Sequence, residues 1–376
     1  MGYVAVKGGT SAIEESIKRL RYERLKGKQV IDVEVIKHSM RGLIDQIMSE
    51  GSLYSRDLAA LAIKQAEGNP EEATFLIRAY RSTLPRKYYS KVVETEWMRV
   101  ERRISAAFKD IPGGQILGAT YDYTHRLLDF SLYEEKIEEI KEWVEEFEKS
   151  LETDCEEISS QLPKVIDLLR REGFIDQVKR DDSEPEDVTR KSIEFPTTRS
   201  ERLQILTRGE TGALTALGYA SIRGYGSYGT LHPTVGELRV GKLPIYIDYP
   251  LENSDTDEDS IYIGEIQVTE VESLIPDVKE ADNENGNKEI QFSIGYGICY
   301  GQNETKAIAM SILDNCLEKS HIDSPVHNEE FVLMHVDCIE ATGFISHLKL
   351  PHYVTFQSKL DSARKIKKEN KRDEKL

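Results

Sequence analysis

Apolar residues in the first half of the chain recur every three or four positions, which is the spacing of one face of a helix. Such stripes run through residues 13–20, 40–47, 58–62, 97–108 and 137–151. Asn69 and Pro70 come directly before two glutamates. This order is typical of a helix N-terminus, where asparagine caps free N–H groups and acids face the positive end of the helix. The pattern predicts a mainly helical domain over residues 1–162.

The pattern changes in the second half of the chain. Segments rich in Ile, Val and Tyr predict strands at 235–240, 243–249, 262–271, 290–300 and 330–337. Helical spacing returns at 202–219, 303–318 and 353–367. Residues 163–200 are polar and predict a linker, and residues 363–376 form a charged tail. The sequence therefore predicts an α+β protein, in which a helical N-terminal half precedes a mixed α/β C-terminal domain, residues 201–362, with a largely antiparallel sheet.

The net charge of −17 is concentrated in two segments. Residues 131–160 carry a net charge of −9 and residues 252–287 carry −11, which leaves the rest of the chain at +3. A mildly basic body with two acidic attachments disfavours nucleic acid as a partner. No apolar run approaches a membrane span, the first residues lack a signal-peptide core, and the four cysteines form no disulfide framework. These features predict a cytoplasmic protein with no membrane partner.

Two histidines near the C-terminus, His347 and His352, stand five positions apart. Pro351 breaks any helix between them, so the two rings converge only around a turn. Two imidazoles bind a transition metal but do not complete a tetrahedral zinc site, so further ligands would come from His335, Cys338, a substrate or another chain. A purely structural role for the pair is an equal alternative.

Two glycine-containing motifs are candidate phosphate-binding sites. Gly224–Gly229 matches the GxGxxG pattern, but a helix precedes it and a strand follows it, which is the wrong context for a dinucleotide site. The loop either brings backbone amides and Arg223 to a phosphate or is a structural turn. In Arg208–Ala213, two glycines within a helical stretch cost about 1–2 kcal/mol relative to alanine. This cost indicates close backbone approach, and Arg208 is either a phosphate clamp or an ordinary surface arginine.

Several long stretches of the chain resemble one known family. They are LAALAIKQAEG at 58–68, RRISAAFKD at 102–110, PGGQ at 112–115, YDYTHRLLDF at 121–130, RGETGA at 208–213, RGYG at 223–226 and ATGFISHLKLPHY at 341–353. These blocks are chemically unusual, and the resemblance runs from Tyr3 to about Leu360. On them the chain is identified as a member of the PhnI family, subunit I of the bacterial carbon–phosphorus lyase core complex.

The resemblance implies an activity. With its partner subunits, the family replaces the purine of MgATP or GTP with methylphosphonate, giving α-D-ribose 1-methylphosphonate 5-triphosphate. Without those partners it tends towards hydrolysis of the nucleotide, as a nucleosidase does. The resemblance also implies a zinc site shared with a partner, with His347 and His352 as its ligands from this chain. It places no iron–sulfur cluster and no S-adenosylmethionine on this chain.

The implied partners are the other subunits of the complex. These are subunits G and H, the radical subunit J and an ATP-binding-cassette subunit K, with two copies of this chain in a dimeric core. The residue assignments are expectations from sequence neighbourhood. Arg208, Arg223 and His232 are the candidates for triphosphate or phosphonate contacts. The candidate general acids are Asp337, Glu210 and Glu237.

Two other functions remain open at this point. The chain is alternatively a scaffold subunit that donates histidines to a partner's metal site and has no catalysis of its own. A stand-alone zinc hydrolase is a weaker alternative, because it requires a closed set of ligands from this chain with one position open for water.

Overall fold

The computed structural model describes residues 9–153, 162–176, 181, 183–224, 232–249, 260–280, 288–319, 324–350 and 352–373. The α-helices in these ranges are α1 (Gly9–Leu25), α2 (Val33–Ser39), α3 (Arg41–Gly51), α4 (Arg56–Gln65), α5 (Pro70–Ser82), α6 (Ile137–Thr153), α7 (Val165–Arg171), α8 (Arg199–Arg208), α9 (Thr211–Arg223), α10 (Glu304–Glu318), α11 (Glu329–His335), α12 (Cys338–Ser346) and α13 (Tyr353–Asp373). The strands are β1 (Arg99–Ile104), β2 (Thr234–Asp248), β3 (Ser260–Glu280) and β4 (Lys288–Tyr300). They form one antiparallel sheet in that order, which confirms the predicted α+β class.

The chain divides into two compact units that are not linear in sequence. Unit 1 consists of Met1–Leu84, Arg208–Ala213 and Glu330–Leu376, and unit 2 consists of Pro85–Thr207 and Leu214–Glu329. The six residues of the RGETGA motif therefore belong with the N-terminal helices, although the helices that flank the motif run into the other unit. The division does not follow the boundaries at residues 162 and 200 that the polar composition suggested.

Unit 1 is built on α2–α5. Each helix buries one apolar stripe, and the buried core side chains include Ile44, Ile47, Met48, Ile63 and Ile77. The predicted start of α5 is confirmed, because the Asn69 side chain accepts a hydrogen bond of 2.7 Å from the backbone N–H of Glu72. Local sequence signals thus place these helices, and burial of their stripes holds them together.

Unit 2 is built on the sheet, and α10 covers one of its faces. Gly295 and Gly297 of β4 lie directly against the backbone of α10, where a Cβ would overlap the carbonyl oxygens of Ser311 and Ala307. Ser273 and Ser311 share a hydrogen bond of 2.7 Å across the same contact. Glycine at these two positions therefore sets how closely the helix approaches the sheet.

The opposite face of the sheet carries a buried row of charges. Arg103 donates to Glu237 at 2.5 Å, and Arg239 pairs with Glu270 on the neighbouring strand. Lys164 lies 3.0 Å from Glu270. Each charge is matched, as burial requires. Glu237 also accepts from the backbone N–H of Val165 at 3.0 Å, so this predicted candidate acid is a structural ion-pair partner.

Two predicted elements take the other secondary structure. The stripe at 97–108 predicted a helix, but Arg99–Ile104 is strand β1, which pairs with β2. In this strand Arg103 bonds Glu237 of β2, and Arg102 bonds Glu304 at the start of α10. Residues 330–337 predicted a strand, but Glu329–His335 is helix α11. Val332, Leu333 and Val336 are all buried there, a spacing that fits a helical turn rather than alternation.

Residues 163–200 and the helices α6 and α13 differ in how much of their apolar surface is buried. Residues 163–200 contain α7, whose Val165, Ile166 and Leu169 are buried, so this stretch contributes to the core of unit 2. In α6 the apolar stripe is exposed, with Trp143 stacked on Phe147. The predicted helix at 353–367 is α13. None of the helices in the described ranges combines the length and the apolar character needed to cross a bilayer.

Candidate active site

Arg78 of α5 is the centre of a polar cluster in unit 1. Its Nε donates to the backbone oxygen of Glu50 at 2.8 Å, and its Nη2 donates to the backbone oxygen of Arg208 at 2.9 Å. Its Nη1 donates to the carboxylate of Asp337. A planar guanidinium donates in several directions at once, so one side chain joins three segments of the chain.

The RGETGA motif is held at two further points. The N–H of Glu210 donates to the backbone oxygen of Val336 at 2.7 Å. The N–H and the hydroxyl of Thr211 donate to Glu50 Oε1 at 2.9 Å and 2.8 Å. Thr211 is the first residue of α9, so the carboxylate of Glu50 satisfies an N–H group that the helix itself leaves without a partner.

The motif interrupts the helix predicted over 202–219. Helix α8 ends at Arg208 and α9 begins at Thr211, so Gly209 and Glu210 lie outside both helices. A Cβ on Gly212 would stand 3.2 Å from Glu210 Oε1, which shows that the Glu210 side chain folds back over this glycine. The second glycine of the motif thus leaves room for the carboxyl group of the glutamate.

The electrostatics of Glu210 differ from those of an ordinary surface acid. Burial raises the pKa of its carboxyl group, and the negative charges of Glu50 and Glu71 raise it further. A carboxyl with a raised pKa keeps its proton closer to neutral pH, which is what a proton donor requires.

Asp337 has the opposite character. Burial pushes the pKa of Asp337 up, but the charge and hydrogen bond of Arg78 and two backbone N–H groups outweigh it, so the pKa is lowered. The backbone donors are those of Ile339 and Glu340, at 2.9 Å and 3.0 Å, and they make Asp337 the N-cap of α12. Asp337 is therefore held as a carboxylate that positions Arg78 and α12, and it is a poor proton donor.

Cys338 lies next to Asp337 in the interior. Burial raises the pKa of its thiol to about 12, and the negative charge of Glu50 adds to this effect. The thiolate is the form that binds a metal, so this environment does not favour Cys338 as a metal ligand. The burial of Cys338 therefore argues against the alternative that it supplies one of the further ligands of the histidine pair.

His347 and His352 come together at the other end of α12. Their ring centroids are 5.5 Å apart, with an angle of 66° between the rings. The Nδ1 of His347 contacts the backbone oxygen of Phe344, and the Nδ1 of His352 lies 2.6 Å from the backbone oxygen of Leu350. Because a carbonyl only accepts, each Nδ1 atom is the donor in its contact, which leaves Nε2 of each ring as the atom that can bind a metal.

The ligand set of this histidine pair is incomplete. Over the described ranges, no group of three or more His, Cys, Asp or Glu side chains is arranged to hold a metal ion. The pair is nevertheless prepared as two ligands, since carbonyl oxygens fix both tautomers. Pro351, which predicted the turn, lies outside the described residues. Ten residues of helical rise separate Asp337 from His347, a distance of about 15 Å along α12.

The remaining predicted contacts are distributed over the two units. Arg208 belongs to unit 1, whereas Arg223 and His232 belong to unit 2. Arg223 is the last residue of α9, and His232 is exposed just before β2. Of the predicted GxGxxG motif only Gly224 is described.

Sequence reasoning missed Glu50, Arg78 and Thr211. One signal was available for Glu50, because it lies three residues after Ile47 on the buried stripe of α3. An acid on an apolar stripe is seldom buried without a purpose, since burial of a charge is costly. Arg78 showed no comparable signal, because its three acceptors lie far away in the sequence.

The cluster and the histidine pair thus place on one unit a glutamate whose carboxyl pKa is raised and two histidine rings whose centroids are 5.5 Å apart. The sequence model of the family described as "Bacterial phosphonate metabolism protein (PhnI)" matches residues 2–370, and the chain therefore belongs to that family. This finding confirms the resemblance inferred from the sequence blocks.

Two curated relatives are similar over nearly the whole chain. Both are named alpha-D-ribose 1-methylphosphonate 5-triphosphate synthase subunit PhnI. The protein of Rhizobium meliloti (strain 1021) is 42% identical over 98% of this chain and 95% of its own length. The protein of Escherichia coli (strain K12) is 41% identical over 98% of this chain and 99% of its own length.

Proposed function

We propose that this chain is the nucleosidase-type subunit of a carbon–phosphorus lyase complex. With partner subunits it replaces the purine of MgATP or GTP with methylphosphonate and forms α-D-ribose 1-methylphosphonate 5-triphosphate. The names of the two PhnI relatives support this product. The observation that carries the proposal for this chain is the Glu210 carboxyl with its raised pKa, in a motif whose backbone N–H groups are held by Val336 and Glu50.

The proposed step needs one proton donor. The bond between C1′ and the purine nitrogen breaks, its electron pair goes to the purine, and the purine takes a proton from Glu210. A phosphonate oxygen forms the new bond to C1′ on the opposite face, which converts the β configuration to α. The transition state resembles an oxocarbenium ion, as in glycoside hydrolysis, and protonation of the leaving group is worth about 10²–10⁴-fold in rate. Glu210 is the better donor of the two acids in the cluster, because Asp337 is held ionised.

Zinc fits the histidine pair in the proposed complex. His347 and His352 would hold it through Nε2, with the remaining ligands supplied by a partner chain or by substrate. When bound, the ion supplies a Lewis acid that polarises a phosphoryl or phosphonyl oxygen. We expect the purified complex to contain zinc, and His352→Ala to lower its zinc content in elemental analysis, with His38→Ala as an exposed control.

The proposed partners are subunits G, H and J with the ATP-binding-cassette subunit K, in a core that holds two copies of this chain. A second candidate function is a scaffold that only donates histidines. The exposed apolar side chains around the pair favour it, since Phe344, Ile345 and Leu348 are each at least 66% exposed. Both functions use the same pair, but only the first requires Glu210.

The experiment that separates them measures adenine release. The chain is mixed with MgATP and methylphosphonate, with and without the partner subunits, and free adenine is followed by chromatography. Glu210→Gln removes the proton donor at constant size, and Glu72→Gln is the matched control at an exposed position of α5. We expect a loss of about 10²-fold or more for Glu210→Gln and no change for the control.

Each outcome decides between the functions. Adenine release that survives Glu210→Gln would refute the assignment of Glu210 as the acid. No adenine in any mixture, with the complex assembled, would leave the chain as a scaffold and metal donor. A ribose 1-methylphosphonate product that forms only with the partners present would support the coupled transfer.

A further inference from the structure

Glu50 is a buried acid that the proposed step does not use directly. It lies near the end of α3 with none of its surface exposed. Its Oε1 accepts from the N–H and hydroxyl of Thr211, and also from Gln46 Nε2 at 3.0 Å. Its Oε2 is buried, and no residue in the described ranges gives it a hydrogen bond.

Within the described ranges, the Glu50 carboxylate is held by hydrogen bonds and not by a salt bridge. Within the described ranges, no lysine, arginine or histidine forms a salt bridge with it. The nearest cation along the cluster, Arg78, donates to the backbone oxygen of Glu50 and gives its ion pair to Asp337. A buried carboxylate without a cation is costly, so the arrangement is unusual for a part of the chain that only holds the fold.

Glu50 binds Thr211, and its charge raises the pKa of the neighbouring residue, Glu210. Thr211, which it holds by two hydrogen bonds, directly follows Glu210. Other charged and titratable groups around the motif are Arg208 within it, Glu71 and Arg78 of α5, and Asp337 and Cys338 at the start of α12. Arg78 and Asp337 compensate each other, and the Cys338 thiol is protonated. Besides burial, the charges that raise the pKa of the Glu210 carboxyl are those of Glu50 and Glu71.

We propose that Glu50 is the positioning residue of the Glu210 site: its buried carboxylate fixes the RGETGA motif through Thr211 and places a negative charge beside the Glu210 carboxyl. This inference rests on the function proposed above for Glu210. In this glutamate pair one acid donates the proton, and the charge of the other adds to burial in raising the pKa of the donor.

The test is a pH profile of adenine release by the full complex. Glu50→Gln keeps the shape and an acceptor oxygen for Thr211 but removes the charge. Because the protonated form of Glu210 is the active one, activity is lost as the pH rises through its pKa. Without the charge of Glu50 that pKa falls, so we expect the basic limb of the profile to move to lower pH. At a fixed pH above the limb, the rate of the variant should be about tenfold lower than that of the unaltered complex for each pH unit by which the limb has moved.

Two variants control for a purely structural effect. Glu71→Gln removes the other like charge, which acts less strongly on Glu210, and we expect it to move the limb less than Glu50→Gln does. Thr211→Val removes one hydrogen bond to Glu50 but leaves the charge, so we expect lower activity with the limb in place. A limb that stays in place in folded Glu50→Gln would overturn the proposal, and so would an equal movement in Thr211→Val.

A second measurement separates this proposal from the proposed function. Carbon-13 labelling of glutamate side chains in the full chain allows the Glu210 and Glu50 carboxyl signals to be titrated by NMR, with Glu210→Gln used for assignment. Interacting carboxyls report each other's titration, so we expect the Glu50 signal of the unaltered chain to shift as Glu210 ionises. No response would overturn the proposal, even if Glu50→Gln fails to fold. If Glu50→Gln shifts the titration of Glu210 but does not change adenine release, the role of Glu50 would be supported and Glu210 would be refuted as the acid.

Discussion

Replacing Arg78 with lysine tests whether the guanidinium holds the RGETGA motif. Lysine keeps the charge and the ion pair with Asp337, but it does not reach the backbone oxygens of Glu50 and Arg208 at the same time. Each hydrogen bond from a charged donor contributes about 1.5 kcal/mol, so the loss of two costs about 3 kcal/mol. A loss of that size is a large part of the stability of one unit, which is typically about 5–15 kcal/mol.

Amide hydrogen exchange is the assay of choice, because the two units need not unfold in one step. The amides of Glu210 and Thr211 donate to Val336 and Glu50, so they report directly on whether the motif opens. A local loss of about 3 kcal/mol corresponds to exchange roughly 10²-fold faster at these amides. The control is Arg41→Lys, an exposed arginine of unit 1.

The result for Arg78→Lys has a clear refutation. Exchange at Glu210 and Thr211 that stays within about threefold of the unaltered chain would show that the Arg78 hydrogen bonds to the backbone oxygens of Glu50 and Arg208 do not hold the motif. Arg78→Met also removes the charge and leaves Asp337 without its cation. We therefore expect a further loss of about 1–2 kcal/mol, measurable as exchange faster than in the lysine variant.

Three other predictions concern stability. Gly297→Ala would place a Cβ against the backbone oxygen of Ala307, so α10 must move from the sheet, and we expect a loss of about 3 kcal/mol in denaturant unfolding; a loss below about 1 kcal/mol would show that the helix has room. The raised pKa of Glu210 means that the folded state disfavours its ionised form. The unaltered chain should therefore lose stability relative to Glu210→Gln as the pH rises through that pKa, and urea unfolding should give equal stability for the two below about pH 4. The lowered pKa of Asp337 has the opposite sign: its contribution is fully present above its ordinary pKa and is lost as the pH falls through the lowered one. Asp337→Asn should therefore be less stable at pH 7, by about 2 kcal/mol, and the difference should shrink in acid.

Much of the fold follows from local signals in the sequence. The cap at Asn69, the stripes of α3 and α4, and the segments rich in Ile, Val and Tyr that form β3 and β4 each depend on neighbouring residues, and each prediction is confirmed. Where a segment depends on distant partners, the local pattern gave the wrong element. Strand β1 had the spacing of a helix, but its arginines pair with acids more than a hundred residues away.

The candidate site was only partly predictable for the same reason. The glycines of the RGETGA motif and the spacing of His347 and His352 are visible in the sequence, so both regions were identified. The clamp around the motif was not, since Thr211 lies 161 residues from Glu50 and Arg78 lies 259 residues from Asp337. The choice between Glu210 and Asp337 as the acid depends on burial and on neighbouring charges, which no spacing in the sequence reports.

The long separation between Arg78 and Asp337 also has a consequence for biosynthesis. A ribosome that adds about 5–20 residues per second makes Asp337 roughly 13–50 s after Arg78. Throughout that interval Arg78 has no Asp337 to bind. For the first part of it, Glu50 also has no Thr211 to bind. The last third of unit 1 must be synthesised before the contacts around Glu210 are complete. A chain that stalls or is cut before Asp337 would therefore lack part of this cluster, so the proposed nucleotide-cleaving site would form only when synthesis is nearly complete.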